Sequence, residues 1–194
     1  MNSGPTSAVA SAPARPLSRP LAARLAAALA GALLVALSAQ VAVPLWGTPV
    51  PMTLQPLAVL IVGGLLGPRL GALSLLLYLA MGATGLPVFT PFGPPGMARL
   101  LGPTGGYLLA YPAAAALAGL LAGLKPGAAG AALGALAGML AIHLGGLAQL
   151  MALTGSVESA FAAGTLPFLA GDLAKLALAS LVIAKARPHT RALH

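Results

Sequence analysis

The sequence predicts an all-α integral membrane protein, a bundle of six transmembrane helices with one long Pro/Gly-rich outer loop. Three observations predict it. Of the 194 residues, 59% are hydrophobic and only 6% are charged, with a mean hydropathy of +0.97. Soluble domains carry about 25% charged residues, so a soluble globule is excluded. The apolar residues fall into six runs, separated by breaks rich in Pro, Gly and basic residues. Lys and Arg are distributed asymmetrically between those breaks. With six spans, Arg15, Arg19, Arg24, Arg69, Lys125, Lys185, Arg187 and Arg191 share the side of both termini, and Arg99 stands alone opposite them. Basic loops stay in the cytoplasm, so both termini are expected there.

Residues 1–20 are rich in Ser, Pro and Ala and read as a disordered cytoplasmic tail. The membrane domain is expected over residues 21–186, followed by a basic tail over residues 187–194. The first apolar run, residues 21–43, is long for the apolar core of a signal peptide and reads as a span. Small residues recur in it every four positions, as Ala22, Ala26, Ala30 and as Ala28, Ala32, Ala36. Such spacing lets helix backbones approach closely, inside the chain or with a partner, but an alanine-rich run also produces it by chance. Trp46 follows in a short loop, either as an interface anchor or as a platform for a ligand.

The second run ends at Leu66 and the third covers residues 70–83, with Gly67-Pro68-Arg69 between them. Proline inside a helix removes a donor and clashes with the preceding turn, so two short spans with a tight turn fit better than one long helix. Residues 85–103 hold Pro87, Pro91, Pro94, Pro95, Phe89, Phe92 and Arg99 and read as a binding loop or lid. The fourth run is residues 104–124, and the fifth is residues 128–153, containing His143 and Gln149. His143 reads as a hydrogen-bonded packing residue, because no second His or carboxylate lies at metal-ligand spacing; no metal site is expected. Residues 154–164 read as a polar loop carrying Glu158, and residues 165–184 as the sixth span.

The sixth span contains Gly171-Asp172-Leu173-Ala174-Lys175, with one of the chain's two acidic residues and one of its three lysines. An ionisable group at helix-centre depth costs about 2.5–3.5 kcal/mol on insertion scales, so it usually has a task. Three residues apart, Asp172 and Lys175 share a helix face. They form either an ion pair that only fixes packing or a site facing the bundle interior. Asp172 would lie about 10 Å and Lys175 about 15 Å below the outer end of the helix, within reach of a cavity loaded from outside. Other chemistries find no support. The chain has no Cys for disulfides or thiolate metal sites, no Walker A loop and no Ser-His-Asp set, so no enzyme is expected. Its net charge of +8 lies mainly at the edges of apolar runs, which argues against nucleic-acid binding.

Several stretches resemble one family. They are Val50-Pro51-Met52-Thr53-Leu54-Gln55, Leu65-Leu66-Gly67-Pro68-Arg69-Leu70-Gly71, Gly85-Leu86-Pro87-Val88-Phe89, Leu101-Gly102-Pro103-Thr104-Gly105-Gly106-Tyr107 and Leu166-Pro167-Phe168-Leu169-Ala170-Gly171-Asp172-Leu173-Ala174-Lys175. In this order, over residues 45–185, the chain resembles the biotin-specific substrate-binding S component (BioY) of energy-coupling-factor (ECF) transporters. The resemblance implies a multi-pass protein of a bacterial or archaeal cell membrane that captures biotin from outside and needs no cofactor. It implies a transmembrane coupling protein and two ATP-binding-cassette ATPases as partners; the four-residue alanine spacing makes Ala22, Ala26 and Ala30 the expected docking face for the coupling protein. It implies that Asp172 and Lys175 are ligand contacts. The family commonly uses an outer-loop Asn as well. This chain has no Asn beyond Asn2, so Thr90 or Arg99 is expected in that role. Position 52 is Met rather than an aromatic. Gln55, Tyr107 and Trp46 complete the expected ligand set. The alternative function is a self-sufficient secondary carrier for a small anionic or vitamin-like solute, driven by protonation of Asp172 or Glu158.

Overall fold

The computed structural model describes residues 19–190. In chain order the elements are α1 (Arg19–Gln40), β1 (Ala42–Val43), β2 (Met52–Thr53), α2 (Gln55–Ala83), α3 (Met97–Leu101), α4 (Gly105–Leu124), α5 (Ala128–Thr154), α6 (Val157–Gly164), a 3-10 turn (Leu166–Phe168) and α7 (Leu169–Thr190). The tail expected over residues 1–20 lies outside the described residues up to residue 18, and so do residues 191–194; residues 187–190 continue α7. Among the described residues five stretches are long and apolar enough to cross a membrane: Leu21–Gln40, Gln55–Ala83, Gly105–Leu124, Ala128–Thr154 and Val157–Arg187.

The 29 residues of α2 are two helices that meet at Gly67 (φ 77°, ψ 176°). Glycine accepts that left-handed backbone at no steric cost. Gln55 Nε2 donates to Tyr78 Oη at 2.6 Å, although 23 residues of straight helix would separate the two by about 35 Å. Residues 55–66 and 68–83 therefore fold back on each other. Their backbones touch, since a Cβ placed on Gly71 would lie 2.8 Å from Gly63 Cα. Proline 68 has no N–H for the carbonyl of Gly64, four residues back. Arg187 on α7 supplies the missing donor: its Nη1 donates to Gly64 O and its Nη2 to Gly119 O at 3.2 Å. Thr190 Oγ1 donates to Leu65 O at 2.7 Å. The end of α7 thus closes the turn that Gly67 and Pro68 open.

Small residues set the packing distances elsewhere. A Cβ on Gly119 would meet Gly63 O at 2.5 Å, so α4 lies directly on the turn of α2. The two alanine series of α1 have separate fates. Ala28, Ala32 and Ala36 are buried, and α1 packs on α2. Ala22, Ala26 and Ala30 are exposed.

Two local expectations need correction. The segment read as a polar loop over residues 154–164 contains α6. Ser156 Oγ accepts from the Ser159 N–H at 3.2 Å, and Glu158 stands in the first turn, where a negative charge complements the helix dipole. The loop around Trp46 is closed by an antiparallel bridge pairing Ala42 with Thr53 and Val43 with Met52, two residues on each side and too short for any alternation to reveal. Residues 84–104 are irregular apart from α3.

Five of the eight aromatic residues share one core. Tyr78 meets Phe89 edge-on at 5.4 Å and stacks on Tyr111 at 6.4 Å, and all three are buried. Tyr107 and Phe168 belong to the same core. These rings, with the β1–β2 turn and the segment around α3, surround a cavity.

Candidate ligand-binding site

The cavity encloses about 580 Å³, counting the space open at its mouth. Its walls are mainly apolar: Val50 and Pro51 before β2, Phe89 in the loop, Leu108 and Tyr111 on α4, Met139 and Ile142 on α5, and Phe168. Two charged groups interrupt them.

The first is built on α7 and α5. Lys175 Nζ donates to Asp172 Oδ1 at 2.8 Å, and His143 Nε2 lies 2.8 Å from Asp172 Oδ2. Asp172 and Lys175 are both buried and His143 is half-buried. Each carboxylate oxygen thus has one partner, from two helices. An ionised carboxylate can only accept, so Nε2 carries the imidazole hydrogen. His143 was expected as a hydrogen-bonded packing residue; its hydrogen-bond partner is Asp172 of the charged pair, and it lines the cavity as well. Its partner lies 29 residues away on another helix, so no local spacing revealed it. The available signal was scarcity: a buried ionisable side chain needs a partner, and only two acidic residues exist in the chain. Gly171 leaves the space beside this pair that Met52 fills; a Cβ there would lie 3.2 Å from Met52 Sδ.

The second group is Arg99 on α3, only 5% exposed. Its Nη1 donates to Thr90 Oγ1 at 3.0 Å, Nη2 to Thr90 O at 2.9 Å, and Nε to Pro94 O at 3.0 Å. These bonds hold the irregular segment over the cavity. Burial pulls the Arg99 pKa below its ordinary value, and the nearby Tyr78 opposes that shift. Arginine stays charged in proteins, so this is a buried cation. Among the described residues no carboxylate lies within 4 Å of it.

The other expected residues divide clearly. Thr90 lines the cavity as the partner of Arg99; the two stood as alternatives in the sequence and form one unit in space. Gln55 lines the cavity and is held by Tyr78 and by Thr53 Oγ1, 3.3 Å from its Oε1. Tyr107 lines it with its hydroxyl tied to Gly164 O at 2.6 Å and its ring edge-on to His143 at 6.4 Å. Trp46 is not brought in. It is 102% exposed in the turn before Gly47 and is not among the residues lining the cavity. Sequence reading also missed Tyr111, Ile142 and Phe168 as cavity walls. Among the described residues no group of His, Cys, Asp and Glu could hold a metal ion.

Apolar spans around a mainly apolar cavity, with an ion pair on α7 and a separate buried cation in its wall, are the architecture of a multi-pass membrane protein. The chain belongs to the BioY family, whose model matches residues 9–192. A probable biotin transporter BioY of Pyrococcus horikoshii is 42% identical over 155 residues, covering 80% of this chain and 90% of that protein. The biotin transporter BioY of Thermotoga maritima is 36% identical over 148 residues, covering 76% and 86%. The fold is similar to the crystal structure of the S-component for biotin from an ECF-type ABC transporter. The TM-score is 0.79 at 25% identity, with 89% of this chain and 95% of that chain covered.

Proposed function

We propose that this protein captures biotin as the substrate-binding S component of an ECF-type ABC transporter. The carrying observation is the Asp172–Lys175 pair, with its His143 partner, inside an apolar cavity of a BioY-family chain. Biotin offers two ureido N–H donors, a ureido oxygen, an apolar thioether ring and a carboxylate. Asp172 accepts from an N–H, Lys175 donates to an oxygen, and the aromatic and aliphatic walls take the ring. The carboxylate is assigned to Arg99, the buried cation without a carboxylate partner among the described residues. Three of the five guanidinium N–H groups are used by Thr90 and Pro94, which leaves two for a ligand. On this reading the protein is a transport component and not an enzyme. Titration of the purified protein in detergent with biotin, thiamine and riboflavin tests it. Biotin alone should bind; preference for another vitamin, or no binding, would refute it.

Six crossings follow if residues 55–66 and 68–83 each enter and leave the membrane, with both termini in the cytoplasm. The Lys and Arg distribution supports this. The membrane domain, expected over residues 21–186, then extends to Thr190, because Arg187 and Thr190 are bonded to the turn of α2. A reporter fused after His194 should be active in its cytoplasmic form and silent in its periplasmic form. The reverse pattern would overturn the topology.

The coupling protein and its two ATPases supply the energy, and α1 is the proposed docking element. Ala28, Ala32 and Ala36 are already buried, whereas Ala22, Ala26 and Ala30 remain exposed at four-residue spacing. Ala26→Trp should reduce co-purification with the coupling protein and leave biotin binding by the isolated protein unchanged. Unaltered co-purification and uptake would make the spacing compositional only.

A further inference from the structure

We propose that His143 is a positioning residue for the biotin site: it fixes the Asp172 carboxylate in the single orientation that meets a ligand N–H. The inference rests on the biotin reading above. Lys175 is on the same helix as Asp172, three residues on, and engages one oxygen, Oδ1. One such bond leaves the carboxylate free to turn, because the terminal torsion of Asp is broad. His143 comes from a different helix and engages Oδ2 at 2.8 Å. Two donors on opposite oxygens and on separate helices fix the carboxylate plane.

The imidazole is itself held. The Tyr107 ring meets it edge-on at 6.4 Å, and the Tyr107 hydroxyl is tied to Gly164 O at 2.6 Å. A chain of contacts thus runs from the backbone at the end of α6 through Tyr107 and His143 to Asp172. Nε2 carries the hydrogen toward Asp172, so Nδ1 of the neutral ring holds a lone pair. Nδ1 is the one buried side-chain N or O among the described residues without a hydrogen-bond partner. A side chain kept for packing alone would not need a polar atom there, and burying one without a partner is unfavourable. The orphan Nδ1 is the cost of presenting Nε2 to Asp172. Pre-ordering the acceptor removes an ordering cost that the ligand would otherwise meet on binding.

The test is a set of variants read by biotin titration and thermal unfolding of the full chain in detergent. His143→Leu keeps bulk and removes the donor, and should lower biotin affinity about tenfold to 150-fold, the range for a lost hydrogen bond to a charged group. His143→Gln places an N–H near the former Nε2 and should recover most of that loss. Packing alone would give no reason for Gln to outperform Leu. In an Asp172→Asn background His143→Leu should add little, because the group it positions is already lost. Three results overturn the proposal: wild-type affinity in His143→Leu, a Gln variant that is folded but as weak as Leu, or additive losses in the double variant. Failure of the wild-type protein itself to bind biotin overturns the underlying functional reading, and this inference with it.

Discussion

Asp172→Asn is expected to weaken biotin binding about tenfold to 150-fold while the protein still inserts and folds. Asn keeps the shape of the side chain and removes its charge. The ligand loses a charged acceptor, and Lys175 loses the only carboxylate within 4 Å of it among the described residues. A buried charge stripped of its partner is strongly unfavourable. Lys175→Met should be the milder change for folding, because Asp172 keeps His143 on its other oxygen. Both variants should weaken biotin, and thermal unfolding should rank Asp172→Asn below Lys175→Met. Equal melting temperatures would show that His143 does not compensate the carboxylate.

Arg99→Met is the second large effect. It removes three hydrogen bonds to Thr90 and Pro94 and the buried positive charge together. If the cation receives the biotin carboxylate, biotin affinity should fall about tenfold to 150-fold. A neutral biotin amide should lose much less, since it brings no charge for Arg99 to meet. The wild-type preference for the acid over the amide should therefore shrink in the variant. Equal losses for both ligands would reduce Arg99 to a clamp on the loop.

The parts of this protein that were legible in the sequence are those set by local chemistry. Gly67-Pro68 announced a break because one residue permits a left-handed backbone and the next removes a donor. Asp172 and Lys175 were visible as a pair because they lie three apart in an apolar run. What stayed hidden depends on contacts between distant segments. His143 meets Asp172 across two helices, Arg187 reaches back to the carbonyl that Pro68 strands, and Thr90 joins Arg99 through a loop without periodicity. The helix α6 was hidden for another reason. It is only eight residues long, and Thr154-Gly155-Ser156 before it read as a break, although the Ser156 cap and Glu158 marked its start. Trp46 shows the converse: a residue type suited to ligand stacking is fully exposed and does not line the cavity.

The central claim is that the charged pair on α7 exists to hold biotin and not to fix helix packing. The most direct measurement is the biotin affinity of the double variant Asp172→Asn with Lys175→Met, made on protein shown by thermal unfolding to be folded. The substitution removes both charges at once, so neither residue is left as an ion stripped of its partner. A site that holds biotin should then be folded and should bind it at least about tenfold more weakly than wild type. Wild-type affinity in the folded double variant would contradict the assignment.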